Sequence, residues 1–345
     1  MHTFHSQFIK SQIKNSRDLF EHIASGIWQN MRDGFRLGLP PNEETITDWI
    51  LLDIARHKFK IFDLRIERIY RATKAVESKY GLDWEWWIGS KKGWIRYGVQ
   101  AKRIDEKGNY KYLKHVVNGE SQERLLNDFC ETNNAVPLYC FYNYLELGQT
   151  DKYWHCCKKE QQKNQLGCTI TPSFVVNKAI RTRGAKNFSY IHSDQHTVPW
   201  RCLTSCPDIK KLYDYPNSDD SDPDNTKKIA RRKFGQDIVL HLELPKFLSS
   251  GSSPLVSADA IVDYYQDAGI LPKRVMVIEI PPETEPASKL RFPLVEYHQK
   301  SLIAISEQQE REKQSIMAIE NREESIKWPS TQELNHPVNK ALASE

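Results

Sequence analysis

Asp83, Glu85, Gln100 and Lys102 are the side chains of this sequence best suited to act together on a substrate. Two carboxylates, an amide and an ammonium side by side make a site for a divalent metal ion and a phosphate, because hard cations take oxygen ligands and an ammonium answers phosphate charge. The four sit in two runs, Leu-Asp-Trp-Glu-Trp-Trp-Ile-Gly at 82–89 and Trp-Ile-Arg-Tyr-Gly-Val-Gln-Ala-Lys-Arg at 94–103. Both runs largely alternate apolar and polar residues, and side chains two apart on a strand share a face. Asp83 and Glu85 therefore point one way and Trp84 and Trp86 the other, while Gln100 pairs with Lys102 by the same rule. Residues 90–93 form a connection short enough for a hairpin, which brings the two polar pairs to one side of a sheet.

Other elements must hold this hairpin. Residues 7–31 carry Phe8, Ile9, Ile13, Phe20, Ile23, Ile27 and Trp28 mostly at spacings of three, four and seven, which predicts an amphipathic helix packed on the later elements of the chain. Residues 38–41 break the chain. Asn42 then suits the cap of a second helix with its body at 45–56, and Glu43 and Glu44 fall in its first turn, where acids favour the positive end of the helix dipole. Residues 61–71 alternate in part, with Phe62, Leu64 and Ile66 on one face, and read as a strand. After the hairpin, 119–133 resumes a helical pattern through Leu125, Leu126 and Phe129, and 136–144 is almost continuously apolar and aromatic, as a central buried strand is. The order helix, strand, strand, strand, helix, strand describes an α/β layout in which a helix crosses between neighbouring strands.

The composition narrows the class. With 345 residues the chain can build a substantial core, and with 39% hydrophobic residues and no apolar run near the roughly 20 residues of a spanning helix, neither disorder nor a membrane protein fits its bulk. The first residues, Met-His-Thr-Phe-His-Ser, lack the basic segment and apolar core of a signal peptide, and seven scattered cysteines argue against a disulfide framework, so a cytoplasmic protein is expected. The net charge of +4 identifies no partner, but residues 58–115 hold 15 Lys and Arg against 7 Asp and Glu. That local excess coincides with the hairpin. A basic rim around an acidic centre suits a polyanion, and a merely solvated basic face is the plainer alternative.

Leu82-Asp83, a short hairpin and Val99-Gln100-Ala101-Lys102-Arg103, preceded by a helix bearing Glu44, together resemble the PD-(D/E)XK nuclease superfamily, and most nearly its Mrr-type restriction endonucleases with a glutamine-x-lysine motif. The wider block, 42–48 with 81–87 and 100–102, also resembles a bacterial family of unknown function. The likeness covers roughly residues 40–145. It implies a restriction-endonuclease-like core, a mixed central sheet flanked by helices, with a C-terminal α+β extension. In domain terms this gives an N-terminal helix (1–40), a nuclease-like core (41–150), an extension of that core or a small second lobe (151–300), and a charged helix with a disordered tail (301–345).

The resemblance also implies roles. Asp83 is the principal ligand of Mg²⁺ or Mn²⁺, Glu44 a second carboxylate, and Lys102 the group that orients the attacking water or stabilises charge on phosphorus. Gln100 departs from the commoner acid and brings no negative charge, so Glu85, one pleat from Asp83, is the compensating metal ligand, and Glu77 a weaker candidate. Gln122 and Arg124 fall where a phosphate contact follows the lysine strand, and Lys91, Lys92 and Arg103 join them in touching nucleic acid. The implied partner is DNA, with RNA as the alternative, without a membrane and with self-association left open. A second class stays open too: a catalytically silent module that binds nucleic acid or acts as a scaffold on the same fold.

The remaining clusters carry less. His155, Cys156, Cys157, Cys168, Cys202 and Cys206 match no common zinc spacing and read as buried thiols. The acidic loop 217–225 lacks the turn glycine and closing glutamate of a calcium loop. Trp84, Trp86, Trp87 and Trp94 can either stack bases or pack beneath a helix layer. Beyond residue 150 the credible elements are 171–179 and the strands at 237–244 and 274–280.

Overall fold

The computed structural model describes residues 13, 15–57, 65–71, 81–90, 93–117, 119–146, 151–156, 161–214, 223–245 and 274–279. All lie in the first of two compact units into which the chain divides, residues 1–285. The second unit, with the tail expected over 301–345, is outside the described residues, as are Glu77, Lys91, Lys92 and most of the acidic loop.

Helix α1, Ser16–Arg36, begins where Asn15 accepts a hydrogen bond from the Asp18 N–H at 2.9 Å, satisfying a donor that helix ends leave open. Its buried residues Leu19, Phe20, Ile23, Ala24, Ile27, Trp28 and Met31 recur at three and four, the stripe a helix lays on a core. The helix expected over 7–31 thus runs from Ser16 on to Arg36, and residues 7–12 lie outside the described set. Helix α2, Glu43–His57, is capped by Asn42, whose side-chain oxygen accepts from the Thr45 N–H at 2.7 Å. Ile46, Ile50 and Ile54 are its buried stripe.

Strands β1 (Arg65–Arg71), β2 (Trp84–Ser90) and β3 (Gly93–Arg103) come next, then the small pair β4 (Val116–Val117) and β5 (Glu120–Ser121), helix α3 (Gln122–Thr132) and strand β6 (Val136–Tyr142). β2 and β3 form the expected hairpin, Trp84 opposite Val99 and Ser90 opposite Gly93. β6 runs parallel to β3, with Gln100 opposite Tyr139 and Lys102 opposite Phe141, and α3 makes the crossover. The rest is β7 (Cys168–Pro172), α4 (Ser173–Arg181), α5 (Phe188–His192), β8 (Val198–Pro199), α6 (Cys202–Ser205), α7 (Pro207–Asp214), α8 (Pro223–Phe234) and β9 (Arg274–Glu279).

The larger sheet has the order β1-β9-β2-β3-β6-β7-β8 and mixes parallel with antiparallel pairs. The fold is α/β, a mixed central sheet flanked by helices. Strands from the later part of the chain join this sheet: β7 and β8 extend it beyond β6, and β9 inserts between β1 and β2. Two expected elements differ. The segment 171–179 divides into the end of β7 and helix α4 at Pro172, and 237–244 forms no strand. It makes one bridge, His241 to Trp94. The reason is edge availability: β6 takes the outer side of β3 from Tyr97 onward, leaving only a short stretch of β3 for another chain.

The two faces of the hairpin meet different layers. Trp84 and Trp86 pack on Tyr142 and Trp200, with ring centroids 6.5 and 6.0 Å apart, and the Trp200 indole donates to the Phe20 carbonyl of α1 at 2.8 Å. Trp84, Trp86, Trp87 and Trp94 are all buried, so they serve packing rather than base stacking. On the opposite face α3 comes close enough that a Cβ at Gly98 would lie 2.6 Å from the Cys130 sulfur. Only glycine fits there. Among the described residues no helix is long and apolar enough to cross a membrane.

Candidate functional site

Strand β2 stops at Trp84, but β3 continues to Arg103, so the Ala101 and Arg103 N–H groups lose their strand neighbour. Two carboxylates take its place. Asp83 accepts from the Ala101 N–H at 2.7 Å, and Glu43, in the first turn of α2, accepts from the Arg103 N–H at 3.0 Å. Between these donors the side chains of Gln100 and Lys102 rise from the face that Asp83 shares. Gln100 Nε2 donates to Asp83 and, at 3.0 Å, to the Ala101 carbonyl, while the Lys102 ammonium lies 3.6 Å from Glu43. Three segments distant in sequence thus meet at one end of β3.

The electrostatics are those of a crowded acidic centre with one cation. Burial pushes the Glu43 carboxyl up to about 7, and the Asp83 charge pushes the same way, against the Lys102 ammonium and the Arg103 N–H. Lys102 is only 5% exposed. Glu43 still shows 32% of its side chain to solvent, so the pair is reachable from outside.

Gln100 tests whether these residues fit a metal ion. Its side chain is fully buried and its Oε1 has no hydrogen-bond partner, against the rule that buried polar groups are paired. Turned about, the amide would direct that oxygen at the Asp83 carboxylate and the Ala101 carbonyl, an arrangement stable only with a cation between them. Two carboxylates and an amide oxygen suit a hard divalent ion. They fit Mg²⁺ or Mn²⁺ better than zinc, and among the described residues no group of three or more His, Cys, Asp or Glu is gathered for a metal.

Asp83, Gln100 and Lys102 therefore meet as the sequence suggests, but the helix contributes a different acid. Glu44 is exposed, and the site carboxylate is Glu43. The correction follows from helical phase: Glu43 lies on the stripe of Ile46, Thr47, Ile50 and Ile54, and Thr47 meets the Tyr142 hydroxyl at 2.9 Å. Glu44 is about 100° out of that phase.

Glu85 is the second correction. It shares Asp83's face but is fully buried, in an ion pair with Arg96 at 2.8 Å, and accepts from the Trp87 indole. Arg96 in turn lies between the rings of Trp87 and Phe129 and donates to Asn133 at 3.0 Å. One pleat, roughly 7 Å, moves Glu85 from the open end of the strand to beneath α3.

The polar residues around the site differ among themselves. Gly81, with a positive φ of 68°, lies against the start of α3 so tightly that a Cβ would be 2.5 Å from the Gln122 carbonyl oxygen, which sets Gln122 beside the Asp83 turn. Gln122 Oε1 and Arg103 Nη1 are buried without hydrogen-bond partners. Arg124 is exposed and pairs with Glu120 at 3.0 Å and Asp128 at 3.5 Å on its own side of the helix. Tyr139, read from sequence only as core, is opposite Gln100 and also carries an unpartnered buried hydroxyl. A cavity of about 290 Å³ lined by His155, Cys156, His196 and Phe234 borders Leu138, which faces the other side of the sheet.

Over residues 16–325 the chain matches a family of unknown function, DUF6615. It belongs to that family. No curated protein and no solved structure matches it. Residues 43–139, which supply every group of this site, fall within the part that defines the family.

Proposed function

We propose that this member of the family is a metal-dependent nuclease that hydrolyses phosphodiester bonds of DNA in the cytoplasm, in defence against foreign DNA. The observation that carries the reading is the convergence of Glu43, Asp83, Gln100 and Lys102 at one strand end. Asp83, Glu43 and the Gln100 amide oxygen would hold Mg²⁺ or Mn²⁺, which when bound supplies neutralisation of the phosphate and a more acidic water. Lys102, buried and beside the carboxylates, would direct its ammonium at the scissile phosphate, where charge develops; one such preorganised donor in a dry site contributes about 3 kcal/mol to lowering the barrier. Arg103 and Gln122, each with a buried polar atom lacking a partner, would steady flanking phosphates.

A silent binding or scaffold module is the second reading, and a specific observation favours it. Asp83 and Glu43 already satisfy two backbone N–H groups and Glu43 already pairs with Lys102, so the same residues can serve as an edge cap and nothing more. Cleavage of plasmid DNA, single-stranded DNA and RNA with Mg²⁺ or Mn²⁺ separates the two. Activity in the wild type that Asp83→Ala and Lys102→Ala both abolish supports the nuclease. Activity indifferent to both substitutions, or none on any substrate while DNA is still bound, sinks it.

A further inference from the structure

We propose that the Tyr139 hydroxyl is a positioning group for Gln100, accepting the hydrogen bond of the amide nitrogen when the amide turns its oxygen toward Asp83 to take a metal ion. The inference rests on the metal-dependent reading above and adds a residue to it.

Gln100 and Tyr139 are direct partners in the parallel register of β3 and β6, so their side chains project from the same face. Both are fully buried, and each ends in an oxygen without a partner, Gln100 Oε1 and Tyr139 Oη. Native interiors pair the great majority of such atoms, so two orphans on neighbouring residues point to an arrangement completed in another state. The Asp83 and Glu123 carboxylates both act on the Tyr139 phenol, which sets it near the site. Glu123 is itself held by the Asn127 and Asn177 amides at 2.6 and 2.8 Å. Burial keeps the phenol protonated, and a neutral phenol can both donate and accept.

The two amide orientations make different demands. As found, the nitrogen has Asp83 and the Ala101 carbonyl for its hydrogens, and only the oxygen lacks a partner. With the oxygen turned to a cation beside Asp83, both amide hydrogens leave those acceptors and enter buried surroundings. A hydroxyl on the adjacent strand then gives them an acceptor. Phenylalanine at 139 would keep the ring and its packing but remove that acceptor, so its effect falls mainly on the metal-holding orientation. Glutamate at 100 has two equivalent oxygens and needs no such partner.

Titration calorimetry of the full chain with MnCl₂ and MgCl₂ tests this in four proteins: wild type, Tyr139→Phe, Gln100→Glu and the double variant. Tyr139→Phe is expected to bind metal about five- to tenfold more weakly, the scale of one lost hydrogen bond. Its Tm without metal is expected to be equal or higher, since it loses an unpaired buried hydroxyl. The double variant is expected to match Gln100→Glu. Unchanged affinity in Tyr139→Phe overturns the inference alone, as does an equal loss in both backgrounds, which would make Tyr139 a support for the strand. Absence of saturable binding in the wild type overturns the proposed function and this inference together.

Discussion

Two acidic clusters lie on one face of the same hairpin, a single pleat apart, and have opposite characters. At Glu85 the charge is closed in: Arg96 opposes it, Trp87 donates to it, aromatic rings cover the guanidinium, and α3 lies on top. At Asp83 the neighbours are a second acid, an amide with an idle oxygen and a lysine shared with Glu43, and part of Glu43 remains wet. A buried ion pair whose partners are all present is a structural device, because any change costs desolvation without return. An incompletely satisfied group of acids is where a ligand has something to offer. Residue type and face do not distinguish the two, and completeness of partners does.

The contrast is most vulnerable at its closed end. Glu85→Ala strips Arg96 of its counter-charge, and removing one partner of a buried pair is expected to lower stability by about 3–5 kcal/mol, read in urea or thermal unfolding. A change of less than about 1 kcal/mol, the scale of an exposed pair, would mean that Glu85 is not closed in. Lys102→Ala is expected to do the reverse: a cleavage rate reduced about 10²–10³-fold with the fold preserved, measured as initial rates beside a melting curve. A third substitution probes the lid over the closed pair. Gly98→Ala would place a methyl 2.6 Å from the Cys130 sulfur, and such overpacking is expected to cost about 1–3 kcal/mol in the same unfolding assay.

The smallest effect concerns pH at the open end. Glu43 holds its proton up to about 7 in the folded chain but releases it near the usual carboxylate value when unfolded. With the folded value the higher one, its ionisation costs the folded state progressively as pH rises from about 4.5 to about 7. In metal-free buffer Glu43→Gln is therefore expected to gain Tm relative to wild type as pH is raised through that window, and a flat difference would show that Glu43 is not pressed by burial and Asp83. Added divalent ion is expected to reduce that gain by stabilising the ionised carboxylate.

Much of this was legible before any tertiary contact was known. The hairpin, the Asn42 cap, helix α3 and strand β6 follow from alternation, capping chemistry and apolar runs, all local physics. Glu43 was legible as well, because extending the stripe of Ile46, Ile50 and Ile54 back by one turn reaches it and misses Glu44. The strand expected at 237–244 was not refutable locally. Its alternation is real, but β6 had already taken most of the edge it could have used.

Strand period alone sets which side chains share a face, and it places Asp83, Glu85, Gln100 and Lys102 together whatever else packs on them. Which of those acids are sealed and which remain open was left to three-dimensional packing. That outcome depends on where β2 ends, where α3 crosses and which phase of α2 turns inward. Solvation of a charge depends on every element around it, and no spacing along one strand records that.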